Sequence, residues 1–495
     1  MTIPFTSRRR RSTFSSPAKH DATLCRKRTL HLQDPCHVHR LPLELLELIF
    51  HFTKELDPPH AYPNFMYPGW FRVLSVCPWW RSAAIQCSRL WDIVPGTDLT
   101  PSWVFRMLTY SKSLPLTLTL NSSQLSRALP DQSLSRLLDT VARRIRDLHL
   151  VIDGDADEVV VALREAPAAP TLRSLSITTN GVAVLLPRDI FSHDTLALKS
   201  LTFVDCFAPW DAPLYAGLED LHIHLTPHAA RSIGFAEVQD NACSRKAYGT
   251  LQHLAPTLRS LALRNLQPFT SDAPHEPINF PILEHFTLEG STSDCIAIMN
   301  TLSFPSSTNI SLYLSSDDST ALVNTMHILG IASTPVGALE LDFEHESGYQ
   351  FTMRLHSLAP RGGRTYTLYV NGIANGSRWT ACGEYVSLVQ ALRLDATTTL
   401  IHRASNWRYW AADVWRSIQL PEVRTIVAVG APASISLLDG LAGTPVLAPK
   451  VEHLRVARVP PGYAFFSHRP EVLSLEDFRE LREEAGRPIA EVVAV

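Results

Sequence analysis

The chain has 495 residues, 45% of them hydrophobic, with 45 basic and 48 acidic residues and a net charge of −3. A chain this long buries a sizeable core, and so even a charge balance excludes a whole-molecule field aimed at nucleic acid or a membrane surface. The expected partner is therefore another protein or a small molecule, with no nucleic acid and no membrane. Cys25, Cys36, Cys77, Cys87, Cys206, Cys243, Cys295 and Cys382 form no CxxC pair, which fits reduced thiols in the cytoplasm or nucleus better than a disulfide framework. No run approaches the ~18 apolar residues of a membrane span, and the first 30 residues hold no apolar stretch of signal-peptide length.

Residues 1–38 are rich in Ser, Thr, Arg, Lys and His and poor in large apolar groups, so they read as a disordered basic tail. Arg8 to Arg11 fit a solvated run, with a nuclear import signal or a polyanion contact as the alternatives. From Leu41 the texture changes to LPLELLELIFHF. Pro42 suits a first helical turn, and Leu45, Leu46, Ile49, Phe50 and Phe52 recur at helical spacing, so one short amphipathic helix is expected. Residues 57–69 hold four prolines and a glycine and read as a loop. In the stretch after it, Pro78 ends one helix near Val76 and opens another. Residues 39–95 thus form a unit of three short helices, small enough to need a partner or a neighbouring domain.

Beyond residue 110 a module recurs, an apolar alternation with a leucine three positions before it. Its clearest copies are Leu172, Leu175, Ile177 and Leu198, Leu201, Phe203. Others are Leu218, Leu221, Ile223; Leu258, Leu261, Leu263; Leu283, Phe286, Leu288; and Val451, Leu454, Val456. Counted from Leu148, the alternations fall near 148, 175, 201, 221, 261, 286, 310, 339, 368, 392, 426 and 454, an average interval of about 28 residues, within the range of leucine-rich repeats. A strand this short cannot bury its apolar side alone, so each unit stacks its strand on the next. The expected architecture over 96–470 is α/β, an irregular leucine-rich-repeat-like solenoid of parallel strands with helical or irregular returns. The gap between Leu221 and Leu261 holds an insertion or an unread copy. Asn180 and Cys206, nine positions into their units, suit the turn out of the strand. Residues 471–495 supply a capping helix and tail, with Ser474 as N-cap and Gly486 as stop.

The segment 41–94 resembles an F-box, in particular the F-box proteins abundant in mushroom-forming fungi. The resemblance rests on Leu41, Pro42, Glu44, Leu45, Leu46, Ile49 and Phe50; on Val76, Cys77, Trp80, Arg81 and Ala84; and on Arg89, Leu90 and Trp91. It covers about 55 residues, and the proline-rich stretch before Trp70 departs from the tighter connection of many members. The resemblance implies a helical unit that docks on a Skp-type adaptor, and through it on a cullin, in a cullin-RING ubiquitin ligase. Leu41, Pro42, Leu45, Ile49, Val76, Cys77, Trp80, Leu90 and Trp91 would then be the adaptor-binding residues. The repeats would hold an unknown protein substrate.

Substrate-facing positions are expected among the polar residues that alternate with core leucines, because alternate strand residues face opposite sides. They are Ser176, Thr178, His222, His224, Arg264, Glu289, His453 and Arg455. No catalytic motif is present: there is no P-loop, GxGxxG after a strand, GxSxG or HExxH. No metal site is expected either. Asp153, Asp155 and Asp157 imitate a calcium loop, but Glu158 and Arg164 stand at its sixth and twelfth positions. His20, Cys25, His31, Cys36, His37 and His39 match no compact zinc spacing. The expectation is a non-enzymatic adaptor without cofactor, with a repeat-based scaffold lacking any ligase as the alternative.

Overall fold

The structure is a computed structural model. It describes residues 41–495 apart from 63–64, 68, 97–98, 123–133, 154–155, 181–182, 194, 231–240, 267–275, 316–326, 328–334, 344–348, 358–364, 373–388, 405–414, 416–418, 431–432, 435–436, 439–440, 442–447, 458–474, 485, 487 and 495. The basic tail at 1–38 and the cap at Ser474 lie outside the described residues. Contacts divide the chain into two compact units, Met1–Trp91 and Asp92–Val495.

In the first unit, α1 spans Leu43–Leu56. Pro42 stands just before the helix, not in its first turn, in an extended conformation, and its carbonyl accepts from the Leu45 and Leu46 amides. The stretch expected to be a loop contains an antiparallel hairpin, β1 (His60–Tyr62) with β2 (Phe65–Tyr67). Pro58 and Pro59 lie just ahead of β1, where a missing N–H costs no ladder bond. Gly69 then takes φ +52°, and a Cβ there would meet the Asp57 carbonyl oxygen at 2.5 Å. Glycine is required at this turn, which lets the Trp70 amide donate to the same oxygen at 2.7 Å. The short α2 (Val73–Val76) and α3 (Pro78–Gln86) come next, with Cys77 extended between them, the break that Pro78 imposes.

The interior of this unit is Leu46, Phe50, Trp70, Phe71, Val73, Ala83, Ala84, Leu90 and Trp91. Trp70 packs against Trp91 at 5.0 Å between ring centroids, and the Trp91 indole donates to the Ala84 carbonyl at 2.8 Å.

In the second unit the strands are β3 (Ile93–Pro95), β4 (Leu116–Asn121), β5 (Ile145–Ile152), β6 (Ser174–Thr179), β7 (Val184–Leu185), β8 (Ser200–Val204), β9 (Cys206–Phe207), β10 (Asp220–His224), β11 (Ser260–Arg264), β12 (Ile278–Asn279) and β13 (His285–Ser291). They continue with β14 (Leu302–Ser303), β15 (Asn309–Ser315), β16 (Val336–Phe343), β17 (Tyr349–Ser357), β18 (Thr365–Gly372), β19 (Thr399–Ala404), β20 (Thr425–Val429), β21 (His453–Val456) and β22 (Glu491–Ala494). Helices α4 (Pro101–Tyr110), α5 (Leu134–Val141), α6 (Ala156–Glu165), α7 (Pro227–Ala230), α8 (Asn241–Leu254), α9 (Thr292–Thr301) and α10 (Leu475–Glu484) lie between them. The unit is thus mixed α/β.

Among the described residues, sixteen strands form one open sheet with β3 and β22 at its edges. From β3 to β15 each strand pairs parallel with the next main strand in the chain. The expected 392 alternation is not a strand: Leu394–Ala396 is a single 3-10 turn, and the strand comes later, as β19. The gap between Leu221 and Leu261 is an insertion, since β10 pairs directly with β11 and α8 lies in between. The tail after α10 is not a free end, because β22 adds to β21.

The order breaks once among the described strands, running β15-β18-β17-β16-β19. Here β17 pairs antiparallel with both β16 and β18, while β18 joins β15, and β16 joins β19, in parallel. The expectation of parallel strands throughout fails at β17.

Burial alternates along β6, β8, β10 and β11 with the apolar residues inside. The preceding Leu172, Leu198, Leu218, Leu258, Leu283 and Val451 are buried too. Each such side chain contributes roughly 1.5–3 kcal/mol on leaving water.

A threonine recurs where the chain enters a strand. Thr171, Thr257 and Thr308 donate their hydroxyls to the carbonyls of Ile145, Leu218 and Leu283 at 2.7–2.9 Å. These bonds satisfy carbonyls that a parallel stack would otherwise strand inside the protein. At the exit from the strand, the Cys206 thiol donates to the Ile177 carbonyl at 3.2 Å, as the spacing suggested. Asn180 is exposed at the corresponding position.

Candidate binding surfaces

The first candidate surface lies on α1 and the α2–α3 junction. The residues expected to share one apolar side of α1 divide between two. Leu46 and Phe50, four apart, face the interior, while Leu45, Ile49, Phe52 and Leu56 face solvent. Leu45 is 47% exposed, Phe52 55% and Leu56 84%. Leu48, Val76 and Trp79 add to this outer apolar surface. Phe50 holds Trp80 edge-on at 5.3 Å between centroids, and the Cys77 sulfur caps α3 by accepting from the Trp80 amide at 3.4 Å.

Of the residues the sequence assigns to adaptor binding, Pro42, Leu45, Ile49 and Val76 are exposed, and Leu41, Cys77 and Trp80 are half-buried. Leu90 and Trp91 are fully buried. They belong to the aromatic core and can affect a surface contact only by supporting it. Leu48, Phe52, Leu56 and Trp79 were missed. A second apolar stripe at spacings of three and four was their signal, and it merges with the core stripe when the helix is read as one face.

The second candidate surface is the outward side of the large sheet. Register aligns Thr178, Val204, His224, Arg264, Glu289, Tyr313 and Tyr369 in one row across β6, β8, β10, β11, β13, β15 and β18. Ser176 and His222 stand in the row beside it. Arg264 and Glu289 form an ion pair at 3.6 Å. His222 shares a hydrogen bond with Ser260 at 2.9 Å, and burial pushes its imidazole below the usual range although Asp220 pulls the other way. His453 and Arg455 are exposed on β21, seven strand steps from Glu289. At ~4.8 Å per step that is on the order of 30 Å along the sheet, so they do not share a site with Arg264.

Sequence reasoning missed an aromatic and charged cluster on this face. Tyr313 and Tyr369 stack with centroids 4.0 Å apart and planes 3° from parallel. The Arg264 guanidinium lies over the Tyr313 ring, 4.8 Å from its centroid. Burial, with the Tyr369 hydroxyl as second cause, raises the Tyr313 phenol above its ordinary range. On β16, beyond β17, Glu340 is nearly buried and takes ion pairs from Arg403 at 2.9 Å and Arg354 at 3.4 Å. Partial burial works against the Arg354 charge, but Glu340 and Tyr369 outweigh it and keep its proton held more firmly than usual.

Among the described residues no group of three or more His, Cys, Asp or Glu is placed to hold a metal, and no helix is long and apolar enough to cross a membrane. The chain matches none of the family models, curated proteins or solved structures it was compared with.

Proposed function

We propose that the chain is a substrate-recognition adaptor of a cullin-RING ubiquitin ligase, with the F-box-like segment at 41–94 docking on a Skp-type adaptor. The repeated strands beyond it form a leucine-rich-repeat-like solenoid that holds the substrate. The observation that carries the reading is the double-sided character of α1. One apolar stripe builds the core, and a second stripe of Leu45, Ile49, Phe52 and Leu56 is left in water. Contiguous exposed aliphatic and aromatic groups mark a protein interface, and such residues dominate interface energetics. The period of about 28 residues supports the solenoid half of the reading.

The test is co-purification of the full chain with a recombinant Skp-type adaptor, wild type beside a Leu45→Asp, Ile49→Asp double variant. Both residues are exposed, so the variant should keep its circular dichroism and thermal midpoint while losing the adaptor. A folded wild type that retains no adaptor would sink the ligase role and leave a repeat-based scaffold.

A further inference from the structure

We infer that Tyr313 and Tyr369 form an oxidative cross-linking site, at which a haem peroxidase consuming hydrogen peroxide joins the two rings through the carbons ortho to their hydroxyls. The product is a dityrosine that ties β15 to β18, at the place where strand order departs from chain order. The inference concerns a modification of this chain and does not depend on the adaptor reading.

Radical coupling needs two phenols in contact before the oxidant arrives, and this pair meets that need. Tyr313 and Tyr369 are register partners on parallel strands, which sets their backbones ~4.8 Å apart. Their rings lie 4.0 Å between centroids with planes 3° from parallel. Aromatic pairs ordinarily prefer offset or edge-on arrangements with centroids roughly 4.5–7 Å apart, so the ladder holds these two closer than ring packing alone favours. The Tyr313 hydroxyl is hydrogen-bonded to that of Tyr369, which Arg354 also meets. The two oxygens, and the ring carbons beside them, therefore lie at the same end of the stack. Reactants held in this way couple at an effective concentration far above that of free phenols in solution.

Burial sets both access and selectivity. Tyr313 and Tyr369 are half-buried, open enough to give an electron to an oxidant and a proton to water, whereas Tyr215 and Tyr366 are buried. The Arg264 guanidinium lies over the Tyr313 ring, 4.8 Å from its centroid. It comes from β11, on the far side of β15 from β18, so it closes the ring face that Tyr369 leaves. Each phenol loses one electron and one proton to give a phenoxyl radical whose unpaired spin reaches the ortho carbons. One carbon–carbon bond forms between the rings, and the hydrogen on each bonded carbon moves to its own oxygen, restoring two phenols. Hydrogen peroxide takes up the two electrons and two protons and leaves as two waters. The bond closes a loop that contains β16 and β17, and such a link stabilises chiefly by restricting the unfolded chain.

The experiment treats the full chain with a haem peroxidase and hydrogen peroxide, at a dilution that suppresses joining of separate chains. Monomer recovered by size exclusion should gain dityrosine fluorescence. Its digest should contain the peptides of Tyr313 and Tyr369 joined, with the loss of two hydrogens. Tyr313→Phe and Tyr369→Phe keep both rings, and each should lose the joined peptide and its emission. The same reaction in urea, where the strand register is gone, should lose the joined peptide as well. Mapping that peptide in the wild type requires no variant, so the test stands even if a Phe variant fails to fold. Wild-type monomer without the joined peptide, while free tyrosine added to the same tube is oxidised, would overturn the proposal. So would a joined peptide that forms equally in urea, or emission that survives both substitutions. The oxidised monomer should also unfold at a higher urea concentration than the untreated chain, and an unchanged midpoint would overturn the stapling of β15 to β18.

Discussion

His402 on β19 is fully buried, edge-on to Trp415 at 5.0 Å between centroids. Burial lowers its imidazole to about 3 from the usual 6.5, and a hydrogen bond to the Leu341 backbone offsets little of that. The folded chain therefore keeps His402 neutral, whereas the unfolded chain protonates it below pH 6.5. Unfolded protein binds the extra proton throughout the window between about 3 and 6.5, so stability falls as pH falls through that window. The slope is about 1.4 kcal/mol per pH unit, which makes the loss between pH 6.5 and 5 about 2 kcal/mol. Other groups titrate in the same range, so the wild type must be compared with His402→Gln, which cannot titrate. Urea unfolding of both proteins at pH 6.5 and 5, followed by tryptophan fluorescence, gives the difference. The wild type should lose about 2 kcal/mol more than the variant on acidification. Equal losses in the two proteins would refute the buried, neutral histidine and with it the packing of β19 against the interior.

The two stripes of α1 should separate in mutagenesis. Leu46→Ala should cost about 2–5 kcal/mol of stability, as for other large-to-small core changes, whereas Leu45→Ala at a half-exposed site should stay within about 0.5 kcal/mol, both read by denaturant unfolding. Gly69→Ala should destabilise the first unit, since the residue sits at positive φ and its Cβ would meet the Asp57 carbonyl oxygen. A thermal midpoint unchanged by that substitution would contradict the positive-φ turn between Asp57 and Trp70.

Much of the second unit was legible because its driving force is periodic. Leucines such as Leu172, Leu198 and Leu258 lie on the buried side at a fixed offset from each strand, and only one register of a period-two strand can bury them. Their partners Ser176, His222 and Arg264 were legible as outward for the same reason. The same periodicity hides the exceptions. A count of repeats assumes that each strand lies beside its predecessor, so the β16–β17 hairpin and the reversed order around it left no trace in the count. In β17, Gln350 and Thr352 dilute the apolar alternation further. The cluster of Tyr313, Tyr369, Arg354 and Glu340 was invisible for that reason, since these residues are neighbours through pairings that no sequence period encodes. At Leu392 the apolar pattern was real but marked the turn before β19. In the first unit, Leu90 and Trp91 were taken with the motif as surface residues, although an aromatic core this small needs both inside.

The most direct test of the adaptor reading is calorimetric titration of the full chain with a purified Skp-type adaptor at several temperatures. Saturable binding is expected with Kd on the order of 1 µM or tighter, together with a negative heat-capacity change as the apolar stripe of α1 leaves water. The absence of any binding heat at every temperature, from a chain whose circular dichroism shows it folded, would contradict the reading.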